Sequence, residues 1–400
     1  MIRRYTLLFQ VLDYRKECVG LFYDGKILQE IPNDLSKTWK YCDYLPDDIE
    51  YASLYCDGNT LDVVCPEYLK IQWLSVSNKM KAFMRSFREA KISLEDNCFF
   101  DLVPSSFLID YFHVKNLITE HVFENYTKPK NYNFLLSLTK FVESVGNRPL
   151  NISTNRNIQK SQDIKIAKFV KNNSDKRYID YNVFGTKTGR LTTKKNSFPI
   201  LTFEKQFRSA LKPNNDWFLE FDFNAAELRT LLALSGQEQP QIDIHEWNAK
   251  NVFNGKLDRE EVKKRTFAWL YNPQSQDSAL SKKYNRELVV KKYSTQSQVT
   301  TFFDRTIESD PRRALNYIIQ STTSDLFLRR VLNVDEVLKS RKSYISFTLH
   351  DSVVIDYAEE DKDILSELIN VFSNTELGFF KVNVSAGKNF GNMEPLRIRN

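Results

Sequence analysis

Residues 217–236, WFLEFDFNAAELRTLLALSG, leave this chain little freedom. WFLEFDF is dense in aromatic residues and reads as a strand. AAELRTLLALS repeats apolar residues at helical spacing and stops at Gly236. Asp222 therefore sits at the tip of a strand, just before a helix N-terminus. Asn224 and Glu227 have the N-x-x-E spacing of a capping box for that helix. Taken alone, Asp222 is explained by the pull of a positive helix end, worth a few tenths of a kcal/mol up to about 1.

A second acid changes the weighing. In TLHDSVVIDY (348–357) a His–Asp pair breaks two β-like runs, YISFTL and VVIDY, which reads as a hairpin. Asp351 is an ordinary turn residue unless it meets Asp222. Two carboxylates at strand ends, far apart in sequence, suit a divalent-metal phosphoryl-transfer site. Mg²⁺ takes hard oxygen ligands and keeps several waters, so two side-chain carboxylates and substrate phosphates can suffice. Two ions about 4 Å apart can serve both the attacking and the leaving oxygen.

Such a site needs cations for a phosphorylated substrate. DREEVKKRTFAWLY (258–271) reads as a helix capped by Asp258 with Glu261 closing the box, stopping at Asn272–Pro273. Arg259, Lys263, Phe267 and Tyr271 recur every four residues, each step drifting only about 40°, so all four line one face. Two cations followed by two aromatics can hold phosphates at one end and stack on a base at the other. The bland alternative is an amphipathic accident.

The net charge is +6, but residues 156–215 hold 14 Lys or Arg against 4 Asp or Glu. Tyr178, Tyr181, Phe184 and Phe198 interleave with these cations, a mixture suited to phosphate backbone and base faces. Four hundred residues with 42% hydrophobic and 27% charged content fit a globular chain of two or more lobes. No apolar run reaches membrane-spanning length, and the start lacks a signal-peptide pattern. A cytoplasmic location is expected, the host's cytoplasm for a viral source. The five cysteines fall before residue 99 with irregular spacing, and reduced structural thiols are expected. Residues 1–60 read as short strands with a turn at Asp24–Gly25, 65–175 as mostly helical, and the rest as mixed.

Seven segments, in order, resemble the motifs of family A DNA polymerases, the bacterial polymerase I type. TKTGRLTT (186–193) resembles the family's T-G-R-L-S-S, DFNAAELR (222–229) its D-Y-S-Q-I-E-L-R, and DIHEWNAKNVF (243–253) its D-I-H-x-x-T-A-x-x-V-F. DREEVKKRTFAWLY is similar to its fingers helix, TFFDR (301–305) to T-x-F-G-R, RRALNYIIQSTTSD (312–325) to R-x3-N-x3-Q, and LHDS (349–352) to H-D-E. The matches cover roughly residues 178–360.

The resemblance implies an α+β right-hand polymerase fold: an antiparallel-sheet palm, helical fingers and thumb, and a small N-terminal α/β domain. It implies a template-directed enzyme adding dNTPs to a primer 3′ end, with Asp222, Asp351 and the Phe223 carbonyl holding two Mg²⁺ ions, for which Mn²⁺ may substitute. Arg259, Lys263 and His245 would bind the triphosphate, with Lys263 a proton donor to pyrophosphate. Phe267 would stack on the nucleotide, Tyr271 would sit by the templating base, and Glu227 would crowd the sugar 2′ position. Arg190, Asn316 and Gln320 would read the primer end, with Arg312 near the template. Primer–template DNA, dNTPs and processivity or replisome proteins are the implied partners, and no membrane is.

The expected division is a reduced domain at 1–105, read as an inactive exonuclease remnant of a phage-type chain, a thumb at 106–177, palm at 178–239 and 306–400, and fingers at 240–305. The exonuclease candidates fit badly: Asp13 and Glu17 have the wrong spacing for D-x-E, and Asp48–Ile49–Glu50 follows no apolar strand. Proofreading is therefore not expected. Ser352, Asn272 and Asp304 depart from the family's Glu, Gly and Gly, and 41 residues from Tyr271 to Arg312 imply trimmed fingers. Two other readings stand beside this one: a non-catalytic nucleic-acid binder on a decayed scaffold, and a single-subunit RNA polymerase, against which Glu227 speaks.

Overall fold

The computed structural model describes residues 9–15, 18–33, 35–94, 96–153, 164–165, 168–169, 171, 176–272 and 274–396. It divides into two compact units, Met1–Leu136 and Ser137–Asn400. The fold is of mixed α+β type, as expected.

The first unit holds an antiparallel sheet of β1 (Phe9–Arg15), β2 (Cys18–Tyr23) and β3 (Lys26–Leu28). The Asp24–Gly25 turn has positive φ at both residues, 45° and 74°, which a two-residue hairpin of type I′ requires. Helices α1 (Lys70–Glu89) and α2 (Ser105–Asn125) bury Trp73, Val114, Ile118 and Val122 in one cluster. Phe22, Phe87, Phe99, Leu108 and Phe112 form another. The cysteine expectation is corrected in part. Cys42, Cys56 and Cys65 are free and buried, but Cys98 is disulfide-bonded. Irregular spacing does not report which Cβ atoms meet in space. Glu17 lies outside the described residues. Glu50 is paired with Lys128 and accepts from Tyr55 Oη at 2.9 Å. Among the described residues, no helix is long and apolar enough to cross a membrane.

The second unit is built on β4 (Trp217–Phe223), with β5 (Tyr344–Leu349), β6 (Ser352–Tyr357), β7 (Val382–Gly387) and β8 (Glu394–Pro395). Their order is β5-β6-β4-β7-β8, antiparallel throughout. Strand alternation sends Phe221 and Phe223 to one face and Asp222 to the other. On the first face, Phe223 stacks on Phe372 at 4.4 Å, and both Phe223 and Phe372 meet Phe327 edge-on. Phe327 belongs to α6 (Ala314–Leu338) and Phe372 to α7 (Leu365–Ser373). Two helices so cover one face and leave the other for Asp222. The register places Asp222 opposite Ser352 and Asn383.

The β5–β6 turn is His350–Asp351, with His350 at φ 55°, a left-handed value that histidine tolerates better than most residues. The chain thus reverses within two residues of β4's Asp222. Helices α3 (Ala226–Leu234), α4 (Ile244–Asn251) and α5 (Arg259–Tyr271) follow β4. The Asp258–Glu261 capping box is present on α5.

Two aromatics of the basic stretch prove to be core. Phe198 is fully buried, and Tyr181 is 4% exposed. Tyr181 Oη donates to the Thr348 carbonyl at 2.7 Å and accepts from the Thr348 N–H at 3.0 Å. A phenol here substitutes for a missing neighbour on the edge strand β5, two residues before the turn. Composition could not distinguish this from a base-stacking tyrosine. Tyr181→Phe strands two buried backbone groups and should lower stability by about 2 kcal/mol. Urea unfolding tests this: the midpoint should fall with the slope unchanged, and an unmoved midpoint would mean that Thr348 finds other partners.

Candidate active site

The strand-to-helix connection after Asp222 is tight and strained. Ala225, the residue before α3, has φ 52°, a left-handed value that costs a non-glycine roughly 1 kcal/mol or more. Asn224 does not cap α3, so the capping box expected from Asn224 and Glu227 is absent. The Asn224 side chain turns the other way: Oδ1 accepts from the Ile244 N–H at 3.0 Å and from Arg229 Nη2 at 3.1 Å, and Nδ2 donates to Asp243 at 2.8 Å. Arg229, fully buried, also donates to the carbonyls of Asn224, Pro240 and Ile242, each at 2.8 Å. Tertiary partners outcompete the local cap.

These turns bring together a cavity of about 390 Å³ lined by segments more than 190 residues apart. Ten residues anticipated from sequence line it. Asp222, Phe223, Glu227 and Asp351 come from the sheet and α3, and Arg190 comes from the loop of residues 183–191. His245 arrives on α4, and Arg259, Lys263, Phe267 and Tyr271 on α5. Arg312, Asn316 and Gln320 do not line it. Arg312 is instead ion-paired with Asp310 at 3.0 Å at the lead-in to α6. Asn383, also lining the cavity, was not anticipated; its Nδ2 lies 3.4 Å from Asp222 Oδ2, and only strand register could have revealed it.

Glu227 is held from two sides. It pairs with Arg190 and accepts a hydrogen bond from Tyr271 Oη. Tyr271 stacks parallel to Phe267, ring centres 6.1 Å apart, and Phe267 lies against His245. His245 is buried, and its Nδ1 has no hydrogen-bond partner among the described residues. Burial lowers its pKa, so it is neutral near pH 7. Arg259 pairs with Asp243 at 2.8 Å and Glu260 at 2.6 Å. Ser352, where the family pattern has Glu, donates to the Leu349 carbonyl at 3.1 Å.

Arg190 is positioned by a contact that no motif pattern displays. Gly189, φ 77°, has no room for a Cβ: one would sit 2.5 Å from Arg305 Nη2. Arg305 in turn grips buried Asp325 bidentately, at 2.7 and 3.0 Å. The loop carrying Arg190 thus packs against a guanidinium that α6 holds in place. Asp304, in place of the expected Gly, adopts φ 61°.

No protein-family model matches the chain. Its sequence aligns with DNA polymerase I of Chloroflexus aurantiacus, 23% identical over 277 residues, covering 55% of this chain and 29% of that protein. DNA polymerase I of Caldicellulosiruptor bescii is 24% identical over 238 residues, covering 46% and 28% respectively. The chain resembles bacterial DNA polymerase I in sequence. It spans under a third of the length of these curated relatives. A solved structure, the POL domain of Pol1 from M. smegmatis in complex with DNA primer-template and dNTP, aligns at TM-score 0.46 and 16% identity, over 72% of this chain and 56% of that one.

The carboxylate pair of this polymerase-like chain is electrostatically short of cations. Burial, with Glu220 and Asp351 nearby, pushes Asp222 up to about 6. Burial also raises Asp351 and Glu227, the nearby Arg190 offsetting part of each. Among the described residues, no cluster of three His, Cys, Asp or Glu forms a closed metal cage. Two raised carboxylates without ion-pair partners among the described residues, beside the Phe223 backbone, fit Mg²⁺, which completes its shell with water and phosphate. The folded state holds the Asp222 proton more tightly than the unfolded chain, about 6 against 3.8. The penalty is absent below the lower value and complete above the higher. In chelator, Asp222→Asn should therefore be more stable than wild type at pH 7.5, by up to about 3 kcal/mol, and the difference should shrink steadily toward pH 4.5. Urea unfolding across that range checks it, and a pH-independent difference would contradict the raised pKa.

Proposed function

We propose that this chain is a template-directed DNA polymerase that adds dNTPs to a primer 3′ end, without proofreading. The observation that carries the proposal is the single cavity in which Asp222 and Asp351 face Arg259, Lys263, Phe267 and Tyr271. Acids at one wall, cations at another and aromatic faces beside them match the three parts of a nucleoside triphosphate and its reacting end.

Asp222, Asp351 and the Phe223 carbonyl would hold the divalent cations. When bound, such ions neutralise charge on the reacting phosphates and make a hydroxyl easier to deprotonate. Arg259 and Lys263 would bind the triphosphate, with Lys263 placed one helical turn further along α5 to give a proton to departing pyrophosphate. Neutral His245 would offer an N–H without adding charge. Phe267 would stack on the base and sugar, while Tyr271 would flank the templating base. Arg190 would contact the primer end, as would Asn316 and Gln320 from α6.

Primer extension on a templated duplex with Mg²⁺ tests the reading. Wild type should extend with the complementary dNTP only. Asp222→Ala or Asp351→Ala should cut extension at least about 10³-fold, because each removes charge stabilisation specific to the transition state, while duplex binding persists. Wild-type-like extension by either variant would sink the assignment.

Glu227 gives a second test. With Arg190 and Tyr271 holding both its oxygens, it stands as a fixed wall beside Phe267 rather than as a helix cap. Glu227→Ala should raise ribonucleotide incorporation relative to deoxyribonucleotide by about tenfold or more. An unchanged rNTP/dNTP ratio would leave the residue a structural bridge.

A further inference from the structure

Asp243 does not line the cavity, yet four donors converge on its carboxylate. Oδ1 accepts from the N–H groups of His245 at 2.9 Å and Glu246 at 3.1 Å, which caps α4. Oδ2 accepts from Asn224 Nδ2 and Arg259 Nη2, both at 2.8 Å. A helix cap needs only one oxygen, and serine would supply it. The second oxygen is the informative one. It joins the residue after Asp222–Phe223 to the first residue of α5.

We propose that Asp243 is a positioning residue that buttresses Arg259, holding its guanidinium at the cavity wall ready for a polyphosphate. The proposal rests on the reading of this cavity as a triphosphate site. An arginine free to rotate must be ordered when its ligand arrives, and that loss of rotamer freedom weakens binding. Here the ordering is already done. Arg259 spends one Nη2 hydrogen on Asp243 and one Nη1 hydrogen on Glu260, leaving three of its five N–H donors for phosphate oxygens. Asp243 cannot easily turn away, because Asn224 grips it while Arg229 and the Ile244 N–H grip Asn224. The chain of bonds Arg229–Asn224–Asp243–Arg259 runs from beneath the Asp222 loop to the cation end of α5.

An opposing effect exists: the Asp243 carboxylate cancels part of the charge that Arg259 presents. The two effects forecast opposite signs. Asp243→Ser keeps a capping oxygen for α4 and deletes the arm toward Arg259, so it isolates the second role. Asp243→Asn, also a good cap, is the companion variant if the serine form melts early.

Calorimetric binding of inorganic tripolyphosphate is measured for wild type, Asp243→Ser, Arg259→Gln and the double variant. Asp243→Ser should weaken binding about tenfold, and the double variant should bind no worse than Arg259→Gln alone. In primer extension Asp243→Ser should raise KM for dNTP, leaving kcat within about twofold. Losses that multiply would reduce Asp243 to a helix cap. Tighter binding by Asp243→Ser would mean that the pair parks Arg259 out of use. Either result overturns the proposal. A protein with non-additive tripolyphosphate losses that never extends a primer keeps the buttress and loses the polymerase reading. One that extends a primer with multiplying losses does the reverse.

Discussion

The half of the molecule that carries the candidate site depends on one buried guanidinium. Arg229 is wholly out of water, and a charge so placed costs several kcal/mol unless its donors are satisfied. It meets that cost with the carbonyls of Asn224, Pro240 and Ile242 and the Asn224 side chain. Burial lowers its pKa only to about 10, so it remains charged at neutral pH. Gathering those carbonyls bends the chain back after α3 and holds Ala225 in its left-handed conformation. Asp222, just upstream, and His245, just downstream, then reach the same cavity.

Around that knot the charges are sorted by element. The sheet brings acids, and α5 brings cations on one face with aromatics one and two turns beyond. Arg190 stands between, lowering the cost of ionising both Glu227 and Asp351. The acids remain raised nonetheless, because burial outweighs one half-exposed guanidinium. A site with this imbalance favours ligands that bring positive charge to one wall and negative charge to the other.

Much of this was legible in the sequence where local patterns and geometry coincide. The strand WFLEFDF, the LHDS turn and the four-residue recurrence on DREEVKKRTFAWLY each specify a face without help from distant residues. The failures have one physical cause. Asn224 and Glu227 have capping-box spacing, but Arg229 and Asp243 offer the asparagine, and Arg190 and Tyr271 offer the glutamate, stronger partners. Tyr181 looked like a stacking aromatic because composition does not record that β5 is an edge strand. Asn383 had no signal at all, since its place is decided by pairing with a strand 160 residues earlier. The Cys98 disulfide was invisible for the same reason.

The Gly189–Arg305–Asp325 contact has a consequence for local stability. The loop of residues 183–191 has no regular structure of its own, and such loops ordinarily open on their own with little cost. This one lies against Arg305, which a bidentate buried ion pair fixes to a 25-residue helix whose middle is core. Moving that guanidinium aside would leave buried Asp325 unpaired, a cost on the order of 3–5 kcal/mol. The backbone at residue 189 is therefore shaped around an arginine that cannot yield, and any side chain placed there would have to displace the loop rather than the arginine.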